Sequence, residues 1–118
     1  MQDLPDGLKK ISKKPFFVFS SLVSPEDVYF DESNVYLTSK DSQIKAFPFS
    51  SLVSIKKTSK RYNNRYILEM HIKHDETEYY IDFLSNYSIW NKNFYEFYNI
   101  IEEYDPNIFT VKWNIFWI

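Results

Sequence analysis

Cysteine is missing from this 118-residue chain, so a disulfide framework, a thiolate metal site and a cysteine nucleophile are all excluded. Glycine occurs once, at Gly7, which rules out a glycine-rich phosphate loop and leaves the turns to Asn, Asp, Ser and Pro. No apolar run approaches the roughly 18 residues of a membrane-spanning helix. Histidine is scarce: His71 and His74 are the only two. On an extended segment they point to opposite faces, and no metal-ligand spacing links them to Asp75, Glu76 or Glu78. Ser20-Ser21 and Ser50-Ser51 lack the strand–turn–helix setting of a nucleophile elbow and read as strand ends. The sequence therefore predicts no catalytic site, no metal and no cofactor, and the chain reads as a non-enzyme.

What is abundant is aromatic. Phe 11, Tyr 10 and Trp 3 make up 20% of the residues, and large rings suit a thin β core because each buries much area. Short alternating runs follow at turn-like spacing: Phe16–Val23, Asp27–Asp31, Asn34–Lys40, Gln43–Phe49, Leu52–Ser59, Arg65–Lys73 and Thr77–Leu84. In the sixth, Tyr66, Leu68, Met70 and Ile72 share one face, against Arg65, Glu69, His71 and Lys73 on the other. Pro48 places the fourth at or near a sheet edge, since proline cannot donate to a ladder. The period then changes. Trp90, Phe94, Phe97, Ile101 and Tyr104 form one stripe of a helix over 88–104, with Ser88 as its N-cap and Asp105-Pro106 as its stop. Beyond it Phe109, Val111, Trp113, Ile115 and Trp117 alternate with polar residues, predicting a further strand over about 108–117. Residues 1–14 read as a polar arm and 15–118 as one mainly β domain, either a partly open antiparallel seven-stranded barrel or two packed sheets.

The net charge of −2 hides a strong asymmetry. From Ser42 to Leu68 six basic residues (Lys45, Lys56, Lys57, Lys60, Arg61, Arg65) meet no acid. From Glu69 to Asp105 nine acids meet only Lys73 and Lys92. Lys9, Lys10, Lys13 and Lys14 form a further basic stretch. Lys9–Val23 has the outline of a signal peptide, but its apolar part is short and opens on Pro15, so it reads as a buried strand and the chain as cytoplasmic.

The run Val28-Tyr29-Phe30-Asp31-Glu32-Ser33-Asn34-Val35-Tyr36-Leu37 is similar to the strand, acidic turn, strand opening of small bacterial pleckstrin-homology-like (PH-like, GRAM-like) domains. Ile44 to Ile55 (IKAFPFSSLVSI) resembles the aromatic-Ser-hydrophobic strand that precedes their second sheet. The resemblance covers about residues 16–106 and implies a β fold capped by a C-terminal helix. Two departures bear on ligand choice. The segment Ser24-Pro25-Glu26-Asp27 lacks the basic residues of phosphoinositide binders, and Trp90 sits at the helix start rather than its middle. Inositol-phosphate recognition is therefore not implied.

Two binding surfaces are predicted. Phe109, Val111, Trp113, Ile115, Phe116 and Trp117 concentrate apolar surface that pairs with a protein partner or a second copy, giving a homo-oligomer. The alternative is peripheral binding to an anionic lipid or membrane surface through the hairpin of Lys56, Lys57, Lys60, Arg61 and Arg65, with Tyr62 at its tip. Overall acidity points away from nucleic acid.

Overall fold

A computed structural model describes residues 6–13, 26–39, 43–62, 65–110 and 112, excepting the side chain of Tyr62. Among the described residues, eight strands run in chain order: β1 (Lys9–Lys10), β2 (Ser12–Lys13), β3 (Asp27–Phe30), β4 (Asn34–Thr38), β5 (Ile44–Pro48), β6 (Leu52–Tyr62), β7 (Arg65–His74) and β8 (Thr77–Ser85). A helix, α1 (Asn93–Tyr104), follows them. They form two antiparallel four-stranded sheets, ordered β1-β3-β4-β5 and β2-β8-β7-β6. The architecture is mainly β, two sheets with a C-terminal helix and not a closed barrel. The expected strand over Phe16–Val23 lies outside the described residues.

The alternation expected of β7 is what the sheet uses. Leu68, Met70 and Ile72 face inward opposite Phe83, Ile81 and Tyr79, while Glu69, His71 and Lys73 face outward opposite Asp82, Tyr80 and Glu78. The outer face is not wholly polar, because Ile67 and Leu84 are fully buried there, apart from the main core. That core is built from the inner faces of both sheets and from Phe94, Phe97 and Ile101 of α1. Phe30 packs on Phe97 with ring centroids 5.3 Å apart, within the range of favourable tilted aromatic pairs. Pro48 closes β5, the edge strand of its sheet, where its missing N–H leaves no ladder bond unmade.

Three expectations are corrected. Residues 9–13, expected as part of a polar arm, are strand: Lys9 and Lys10 pair with Phe30 and Tyr29 in one sheet, Ser12 and Lys13 with Ser85 and Leu84 in the other. Between them Ile11 is 0% exposed, donating its N–H to Val28 O (2.9 Å) and accepting from Asn86 N (3.0 Å). One short segment thus joins both sheets at a corner.

The helix begins at Asn93, not Ser88. The Ser88 hydroxyl instead accepts from Trp90 N (3.1 Å) and Asn91 N (3.0 Å), closing a separate turn. Trp90, expected on the buried stripe, is 88% exposed, and Tyr104 is also exposed, its ring resting against Phe49.

Of the strand expected over about 108–117, the described residues show one isolated parallel bridge, between Phe109 and Ile55 of β6; Val111 and residues 113–117 lie outside them. Ile55 N donates to Ile108 O (2.8 Å) and Thr110 N to Ile55 O (3.2 Å). The β7–β8 turn, with Asp75 and Glu76 at φ 51 and 64, is the left-handed two-residue kind that matches strand twist, made here without glycine.

Candidate functional site

The β6–β7 hairpin carries the basic residues, and its register explains their placement. Lys57 pairs with Leu68 and Arg61 with Tyr66, so Thr58, Ser59 and Lys60 stand opposite Ile67 alone. This bulge adds two residues to β6. Because side chains alternate with period two, the insertion leaves Lys57 and Arg61 on the same face as Tyr66. The Lys57 ammonium lies 4.5 Å and the Arg61 guanidinium carbon 4.6 Å from the centre of that ring, both within cation–π range. Thr58 holds the bulge: its hydroxyl donates to Ile67 O (2.7 Å) and accepts from Lys60 N (3.2 Å).

The outer face of the hairpin is balanced rather than purely basic. Lys56 Nζ lies 3.4 Å from Glu69 Oε1. Burial pushes the Asp82 carboxyl above its ordinary value; the charge of Lys60 opposes this, Glu69 adds to it and Lys56 opposes it. Arg65 is drawn inward, where Nη1 donates to Ser85 O (3.2 Å) and burial lowers the guanidinium pKa from its usual value. Of the five predicted basic residues, Lys56, Lys60 and Arg61 are exposed, Lys57 is half-buried, and Arg65 ties the hairpin to β8.

That tie brings other segments to the same end of the molecule. Ser85 and Leu84 pair with Ser12 and Lys13. Asn86 and Asn93 both donate through Nδ2 to Lys10 O, at 2.7 and 3.1 Å. Residues 84–95, which follow from this junction, contain Lys92 and no acid. Within them the turn Ser88–Asn91 exposes Ile89 (68%) and Trp90 (88%).

The second predicted surface fares differently. Phe109 is buried in the chain's own core, its ring 4.7 Å from Tyr98 and 6.3 Å from both Phe94 and Phe97. Val111, Trp113, Ile115, Phe116 and Trp117 lie outside the described residues.

The histidines do point to opposite faces. His71 stacks on Tyr80 at 4.3 Å on the outer face, with Nε2 2.9 Å from Glu78 Oε1. His74 meets Ser51 Oγ at 2.9 Å and the edge of Phe47. Among the described residues no His, Asp and Glu cluster is placed to hold a metal ion, and no helix is long and apolar enough to cross a membrane.

Among the described residues, two cavities bear on function. One of about 380 Å³ is lined by Asp6, Lys9, Asp31, Glu32 and Glu96 among others. Two of its carboxylates are engaged within the fold, Asp31 by the following turn and Glu96 by Lys9 at 2.7 Å. The other, about 190 Å³, opens between the sheets beside Leu37, Tyr79 and Ile81, with Lys45 at its rim.

The exposed Ile89–Trp90 tip is what sequence reading missed. The three-four spacing of apolar residues runs backward from Phe94 to Trp90 without a break in period. The signal against it was local: Asn91-Lys92-Asn93 supplies two turn formers between Trp90 and the first helical residue to be buried. No protein-family model, no curated protein and no solved structure matches this chain.

Proposed function

We propose that this chain is a non-catalytic binding module of PH-like architecture that docks on anionic surfaces through the β6–β7 hairpin. The observation that carries this reading is the bulged hairpin itself. Its bulge sets Lys57 and Arg61 together on Tyr66 and leaves Lys60 exposed, within a stretch from Ser42 to Leu68 that contains no acid. Two four-stranded antiparallel sheets followed by a helix agree with the PH-like part of the reading. Self-association through residues 109–117 ranks below it, because Phe109 is buried within its own chain.

A basic side chain near an anionic bilayer contributes about 1 kcal/mol, so Lys57, Lys60 and Arg61 together supply roughly a hundredfold in affinity. Co-sedimentation with neutral and anionic vesicles, at low and high salt, tests this. The full chain is expected to bind the anionic vesicles alone, with binding lost at high salt and lost in a K57Q/K60Q/R61Q variant whose thermal melt stays cooperative. Binding that ignores salt, or that survives in a folded triple variant, would end the proposal.

A further inference from the structure

We infer that Ile89 and Trp90 form an apolar wedge that enters the interfacial layer of an anionic bilayer beside the basic hairpin. The partner is then a lipid surface and not a soluble polyanion. The inference rests on the docking reading above and goes further by naming the kind of surface and a second element that contacts it.

Three observations lead there. The first is exposure: Trp90 and Ile89 are the two most exposed large apolar side chains among the described residues, at 88% and 68%, and they are adjacent. Scattered exposed apolar residues are ordinary, but two together at the tip of a turn make a projecting patch.

The second is that the tip is held in shape. Ser88 N donates to Asn91 O (3.0 Å), while the Ser88 hydroxyl accepts from the backbone of Trp90 and Asn91. Asn93 N donates in turn to Asn91 Oδ1 at 3.0 Å. Behind the tip, Lys92 Nζ reaches the Tyr87 hydroxyl at 3.3 Å, and Tyr87 is buried in the core. A wedge already ordered before contact loses little conformational freedom on insertion.

The third is charge. Segments 9–13, 56–62 with 65–66, and 84–95 meet at this end through the Ser12–Ser85 and Lys13–Leu84 pairs, the Asn86–Lys10 bond and the Arg65–Ser85 bond. None of the three contains an acid; acids from outside them pair with Lys9 (Glu96), Lys10 (Asp27) and Lys56 (Glu69), so the cations that the surface offers a bilayer are the exposed Lys13, Lys60, Arg61 and Lys92. Ser85 and Trp90 are five residues apart in sequence, which limits their separation to about 18 Å even for an extended chain. Tryptophan favours the headgroup level of a bilayer, where its ring is buried and its N–H stays wet. Basic side chains around it meet the lipid phosphates. A nucleic acid would satisfy the cations equally well but gives Ile89 no apolar environment.

The test compares the full-length chain with I89S/W90S and with K60Q/R61Q, each on anionic vesicles and on polyuridylate as a soluble polyanion. All the altered side chains are exposed, so thermal melts serve only to verify folding. I89S/W90S is expected to lose vesicle affinity by roughly tenfold or more while its polyuridylate binding is unchanged; K60Q/R61Q weakens on both. In parallel, the fluorescence of Trp90, taken as the difference between the parent chain and W90F, is expected to shift to the blue on vesicles and to be quenched by brominated acyl chains. Equal vesicle binding by I89S/W90S, with Trp90 unquenched, overturns the wedge and leaves the hairpin reading standing. Vesicle binding lost in I89S/W90S but untouched in K60Q/R61Q keeps the wedge and removes the hairpin. Binding of the parent chain to polyuridylate alone overturns the lipid surface in favour of a nucleic acid.

Discussion

Asp31 accepts three hydrogen bonds around the β3–β4 turn. Ser33 N (2.9 Å) and Asn34 N (2.8 Å) donate to Oδ1, and the Tyr36 hydroxyl (2.6 Å) donates to Oδ2. Burial is the largest single influence on its carboxyl and pushes the pKa up; the Tyr36 hydroxyl and the two amides together outweigh it, and the net shift is downward. A carboxyl with a depressed folded pKa stabilises the fold fully above its unfolded value, near pH 4, and loses that contribution as pH falls through the folded value. Asp31→Asn keeps the acceptor oxygen and removes the charge. It should lower the unfolding free energy by about 1 kcal/mol near neutral pH, a gap that closes in acid. Urea melts of both proteins across the acid range check this, and a gap that persists in strong acid counts against it. Asp82 behaves with the opposite sign: its raised pKa, due first to burial, gives a contribution that is full at low pH and lost as pH rises.

At the scale of elements, the β6 bulge is the device on which the hairpin depends, and Thr58 is its fastener. Thr58→Val keeps the β-branched shape but removes both hydroxyl contacts, leaving Ile67 O and Lys60 N without them. A loss of about 1–2 kcal/mol is expected. Amide exchange should quicken at Lys60 and Arg61 while the Met70–Ile81 region of β7 and β8 keeps its protection. Uniformly faster exchange, or none, would show that the bulge is held by something else. The bulge was not legible in the sequence, since Lys57 to Arg61 offers no apolar residue to mark register. The β7 and β8 strands were legible, because each has one face buried and the alternation is forced. Residues 9–13 were hidden for the converse reason: two-residue strands carry no period, and Ile11 alone among lysines and a serine does not announce a core position. The buried stripe of α1 was read correctly from Phe94 to Ile101. Its start was misplaced because Ser88 caps a turn with the same hydroxyl that would cap a helix.

Over the whole molecule, charge is sorted by position. The ten residues of β7, roughly 33 Å when extended, separate the basic hairpin from the β7–β8 turn with Asp75, Glu76 and Glu78. In the proposed docked orientation that acidic turn would point away from the anionic surface, so attraction and repulsion would select the same pose. Integrity of the two-sheet body rests on the corner at Ile11. Ile11→Ala should destabilise the fold by about 2–5 kcal/mol and speed amide exchange in both sheets together, including Val28 and Asn86, whose backbones bond Ile11. Loss of protection confined to one sheet would show that the corner does not couple them.

The same corner bears on how the chain is made. Lys10 and Asn86, which are hydrogen-bonded, stand 76 residues apart in sequence, and on either side of Ile11 the first strand pairs with the third and the second with the eighth. During synthesis the early segment can meet β3 soon after it emerges, but its other partner is not yet made. The clasp between the sheets closes only once β8 has left the ribosome. Until then the nascent chain holds an open strand edge, with long loop closure still ahead of it. Joining the two sheets thus waits on a contact between segments far apart in the sequence.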